Sequence, residues 1–165
     1  MGESTLTAVG RVTKKAVLGA IKGTGETTKA IVETTADLVR ATIAEVADLT
    51  AAIEKRAAEI TSGAVEASTE ASGDLFTTIK YTVYGIVKAG AELGADVAKT
   101  AVAATEGAIK AAAKAGSDVS SATKEAVTGA IEAGDTIGTK ASKSVRDALT
   151  ASIKGAKDFI KAPRK

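Results

Sequence analysis

Residues of one chemical class recur at an interval of eleven along this chain, and that regularity restricts it to helices. Sorting residues by remainder on division by eleven puts 38 of the 42 charged side chains in remainders 0, 3, 4, 7 and 8. An even spread would place about 19 there. The exceptions are Glu45, Glu54, Arg56 and Arg164. Large apolar side chains do the reverse: 34 of 38 fall in remainders 1, 2, 5, 6, 9 and 10, with Leu18, Tyr81, Tyr84 and Val102 outside. Eleven residues close three turns at about 3.67 residues per turn, just above the α-helical value. The six apolar columns are contiguous on a helical wheel and cover roughly 200°, about twice the stripe of an ordinary surface helix. A face that wide needs two or more neighbours, or a flat apolar surface.

The pattern predicts one all-α, hendecad-repeat domain over residues 1–165, with a basic C-terminal end at 140–165. Pro163 is the only proline, so nothing before it forces a helix to stop. The expected form is a long continuous amphipathic helix, because the phase runs unbroken along the chain. A helical hairpin near Gly73 is the alternative, since Ser72-Gly73-Asp74 offers a glycine stop and an aspartate cap. Gly23-Thr24-Gly25 is a second candidate break. The chain has 36 alanines, two Phe, two Tyr and no Trp, so a lone helix would bury little and be marginal in isolation. Such helices are expected to assemble into a multistranded bundle, barrel or filament. Gly19, Gly63, Gly85, Gly107 and Gly129 share one column at the border of the apolar face, where small residues let backbones approach closely.

The chain has no Cys and no His, which removes disulfides, thiolate chemistry and the commonest metal ligand and general base. No GxxxxGK[ST] loop occurs. Paired acids such as Glu66 and Glu70 lie one turn apart on the polar face, without a pocket to perturb them. No enzyme activity, catalytic residue, metal or cofactor is expected. The first apolar run, Ala16 to Ile21, is too short for a signal-peptide core, and no uncharged stretch approaches the roughly 18 residues of a spanning helix. The expected location is cytoplasmic, with peripheral placement on a membrane or granule surface as the alternative.

Net charge alternates in blocks: +3 over residues 1–25, −6 over 26–74, −1 over 75–139 and +6 over 140–165. Lys140, Lys143, Arg146, Lys154, Lys157 and Lys161 form a candidate polyanion-binding end, which could equally dock on the acidic block of a second copy. Nucleic acid is not the expected partner. Lys–acid pairs four apart, such as Lys22/Glu26, Lys55/Glu59, Lys88/Glu92, Lys143/Asp147 and Lys154/Asp158, read first as helix support. Leu75 to Val87 is the most apolar stretch, read as a packing anchor ahead of a membrane-insertion point.

These repeats, rich in Ala, Thr, Gly, Lys and Glu, resemble synucleins, late-embryogenesis-abundant proteins and the phasins that coat polyester granules. Thr123-Lys124-Glu125-Ala126-Val127 is similar to the synuclein core repeat. The chain also resembles hendecad coiled coils that form multistranded bundles and tubes. Three functions follow as expectations. The first is a structural protein that self-assembles through its apolar face into a homo-oligomer. The second is an amphipathic coat on a lipid membrane, lipid droplet or polyester granule, and the third is stress protection. The working face is read as the line through Val97, Ala101, Ala108, Ala112, Val119, Val127, Ala130, Val145, Leu149 and Ile160.

Overall fold

Among the described residues the same pair of backbone hydrogen bonds closes three turns. The amides of Gly73, Ala95 and Ser117 donate five residues back, to the carbonyls of Ser68, Gly90 and Ala112, each at 2.9 Å. Those of Ser72, Gly94 and Gly116 donate three residues back, to Thr69, Ala91 and Ala113. This paired pattern ends a helix on one left-handed residue, here Ser72 (φ +55°), Gly94 (φ +93°) and Gly116 (φ +78°). Two residues later an aspartate side chain caps the next helix: Asp74 accepts from the amides of Phe76 and Thr77, Asp96 from Lys99, and Asp118 from Ser120. The turns are 22 residues apart.

The computed structural model describes residues 6–23, 26–43 and 48–160. Among them are seven α-helices: α1 (Ala8–Lys22), α2 (Thr27–Thr42), α3 (Leu49–Glu70), α4 (Leu75–Glu92), α5 (Val97–Lys114), α6 (Val119–Ile137) and α7 (Thr139–Ser152). A short 3-10 turn, Ala156–Asp158, follows. The expected continuous helix is therefore incorrect, and a turn does lie at Gly73. Across α4, α5 and α6, which begin 22 residues apart, the eleven-residue phase survives because a helix and its turn together span two elevens. At the other candidate break α1 ends at Lys22 with Gly23 as its C-cap, while Thr24 and Gly25 lie outside the described residues.

Helices stack in two layers. α1, α3, α5 and α7 pack in sequence in one, and α2, α4 and α6 in the other. Neighbours within a layer run parallel: α1 meets α3 through Thr13 on Gly63 and, further along both, Lys14 on Glu66. Consecutive helices run antiparallel, as α3 and α4 show through Ser68 with Thr78 and Ile53 with Gly90. An interior helix is thus flanked by neighbours in both layers, which is what a 200° apolar face demands.

Those neighbours belong to the same chain. Ile31, Val39, Ile53, Ile60, Val83, Ile86 and Val87 are fully buried, with Ala57, Ala101, Ala104, Ala126 and Ala130 between them. The expectation that one copy lacks a core of its own is corrected accordingly. Alanine builds this core because thin side chains let helices approach, and at Gly63 and Gly129 they approach further still. A methyl at either glycine would come within 3.0 Å of the preceding helix in its layer.

Candidate interaction surface

The proposed working face is the interior of the C-terminal half. Ala101, Ala108, Ala112, Val127, Ala130, Val145 and Leu149 are buried at 1 % exposure or less. Val97 and Ile160 pack partly buried against the same core, and Val119 is 43 % exposed. The reading of this line as a face offered to a partner is corrected: other helices of the chain cover it. The apolar stretch on α4 is likewise core, with Ile79, Val83, Ile86 and Val87 buried and Leu75, Phe76 and Tyr84 packed at its edge. No helix among the described residues is long and apolar enough to cross a membrane.

The basic end divides. Arg146 binds Asp135, with 2.6 Å between Nη1 and Oδ1, and also donates to Ser142. Its guanidinium, helped by the Ser142 hydroxyl, holds the Asp135 carboxyl below the usual carboxylate range against the opposing effect of burial. Lys143 pairs with Asp147 at 2.8 Å, and the carboxylate raises the lysine. Lys140, Lys154 and Lys157 are exposed, while Lys161 lies outside the described residues. Lys140 borders a groove of ≈ 620 Å³ with Asp96, Val97, Ile137, Thr139 and Ser144. The six basic residues therefore do not form one patch of uniformly available charge.

Charges on the outer surface follow the stacking instead. Lys14–Glu66, Arg40–Glu92 and Lys80–Glu132 each join a helix to the next one in its layer, and each spans 52 residues. Glu70 and then Glu66 raise Lys14, and Glu92 raises Arg40. Among the expected Lys–acid pairs, Lys143–Asp147 forms, whereas Glu59 binds Arg56 and Glu92 binds Arg40. Spacing along one helix could not disclose partners two helices away.

The two ends of the stack differ. At the C-terminal end Ile153 and Ala156 are buried and Phe159 and Ile160 pack on the core, so the last segment folds over α6 and α7. At the N-terminal end, α1 and α2 have no preceding helix among the described residues. Gly19 sits where Gly63 and Gly107 sit in α3 and α5, yet nothing lies within 4 Å of the place its Cβ would take. Around it Ala8, Arg11, Val12 and Lys15 are exposed, Val12 at 57 %. On α2, Glu33, Asp37 and Ala41 are exposed.

Fold and surface together define a two-layer helical stack in which, among the described residues, the outer face of α1 and α2 is uncovered. No protein-family model matches the chain, and no curated protein matches it either.

Proposed function

We propose that this protein is a non-enzymatic structural module that self-associates through the exposed outer face of α1 and α2. The observation that carries this reading is the contrast at equivalent glycines. Gly63 and Gly107 are closed over by the preceding helix of their layer, and Gly19 is bare. In stacked repeats each unit buries its face on a neighbour, and terminal units need a cap or a partner. The C-terminal end has its cap in Ile153 to Ile160, and a second copy supplies the equivalent cover at α1 and α2. Self-association was the first expectation from the sequence; its surface moves from the apolar columns to the end of the stack.

Sedimentation of the full chain over a dilution series, with and without anionic vesicles, tests this. A discrete oligomer that dissociates on dilution and ignores the vesicles is the expected result. A monomer at every concentration overturns it. Vesicle binding accompanied by loss of amide protection in α3 to α6 would replace it with the lipid-coat function, since a coat must open the stack to free its apolar face.

A further inference from the structure

On the end face the exposed row of α1 is basic and that of α2 carries two acids, with Lys29 and Arg40 to the side of them. α1 (Ala8–Lys22) contains Arg11, Lys14, Lys15 and Lys22 and no acid. Lys14 is turned to Glu66 and Glu70 of α3, and Lys22 lies close enough to Glu70 to lower it. That leaves Arg11 and Lys15 exposed beside Val12 and Gly19. Moving 22 residues on, the same positions of α2 carry Glu33 for Arg11, Asp37 for Lys15, Thr34 for Val12 and Ala41 for Gly19. Glu33 is exposed, and the Asp37 side chain is 76 % exposed although it meets Arg40. Arg40 is shared with Glu92 of α4, on the side away from this end.

We infer that this face is a two-fold symmetric interface with a second copy of the chain, in which α1 of each protomer lies on α2 of the other; the inference rests on the self-association reading above. Charge selects this arrangement. A two-fold axis across the helices would set α1 on α1, with Arg11 and Lys15 facing their own counterparts. An axis running between and parallel to α1 and α2 sets each basic row on an acidic one.

The levels along the helices agree. The short connection from Lys22 to Thr27 makes α1 and α2 an antiparallel pair, so a rise of 1.5 Å per residue puts Lys15 level with about residue 34 and Arg11 with about residue 38. Rotation about an axis parallel to the helices keeps those levels. Lys15 of one protomer then falls between Glu33 and Asp37 of the other, and Arg11 falls beside Asp37. The contact is isologous and closed, as is usual for homodimers. At the same levels Gly19 of one protomer falls opposite about residue 30 of the other and Ala41 opposite about residue 8, both alanines, so the backbones can approach there. Stacking the open end on another copy's C-terminal end instead would bring Arg11 and Lys15 toward Arg146, Lys154 and Lys157, and the cap of Phe159 stands in the way.

Two variants test the pairing. Arg11→Glu with Lys15→Glu reverses the sign of the α1 row, and Glu33→Lys with Asp37→Lys reverses that of the α2 row. All four residues are exposed, so circular dichroism should show both variants helical. Each alone is expected to lose self-affinity by about a hundredfold or more, since like charges are forced together. An equimolar mixture is expected to form a heterodimer. The wild-type dimer should weaken with added salt. A wild-type dimer that tolerates both double reversals overturns the interface but leaves self-association standing, and failure of the mixture to associate also overturns the interface. A monomeric wild-type chain at high micromolar concentration overturns both.

Discussion

A methyl group at residue 129 would have to share space with the carbonyl oxygen of Lys80. That oxygen is backbone, so neither helix can yield without moving as a body. An alanine gains roughly 1 kcal/mol of helix propensity over glycine, while forced overpacking costs about 1–3 kcal/mol. Gly129→Ala is therefore expected to destabilise the chain by up to about 2 kcal/mol in urea denaturation. At Gly19 the same change meets nothing within 4 Å. Gly19→Ala should stabilise the dilute monomer by up to about 1 kcal/mol, and equal effects at the two sites would show that α4 and α6 do not lie this close. The sequence places both glycines in one column at the edge of the apolar face. It cannot tell an occupied contact from a vacant one, because that depends on whether another helix comes before.

At the scale of the helix and its turn, composition and period disclosed a helical chain and which side chains it hides. They did not disclose where helices end. An unbroken phase argued against loops, and that inference fails whenever helix plus turn is a multiple of the repeat. A finer signal was present: Ser72-x-Asp74, Gly94-x-Asp96 and Gly116-x-Asp118, at intervals of 22. Only the first stood out, because Gly73 follows its serine. The corner between α6 and α7 carries a prediction of its own. Arg146 and then Ser142 depress Asp135, with burial opposing them. A carboxyl depressed in the folded state adds stability above its unfolded value, about 3.9. That contribution is lost as pH falls through the lower folded value. Thermal melts from about pH 5 to about pH 2 should show a steeper loss for the wild type than for Asp135→Asn. Parallel curves would mean the pair does not hold the corner.

Across the whole molecule, contacts join each helix to its neighbours one and two places along the chain. Stability in such a stack is close to a sum of local terms, so the ends should open before the middle. α4, with Ile79, Val83, Ile86 and Val87 at 1 % exposure or less and neighbours on both sides, is expected to be protected longest in amide exchange. α1 should exchange first in the dilute monomer and gain most protection as concentration rises. Uniform exchange from α1 to α7 would contradict a chain of local contacts. The spacing of the turns has a separate consequence for how such a chain can change length. Excising the 44 residues between Gly63 and Gly107 would splice the first half of α3 to the second half of α5, in the same rotational phase and the same layer. Excising 22 would also keep the phase, but it would carry every later helix into the opposite layer. Length in this architecture is therefore counted in pairs of helices, and chains differing by 44 residues could share every contact except those of the missing pair.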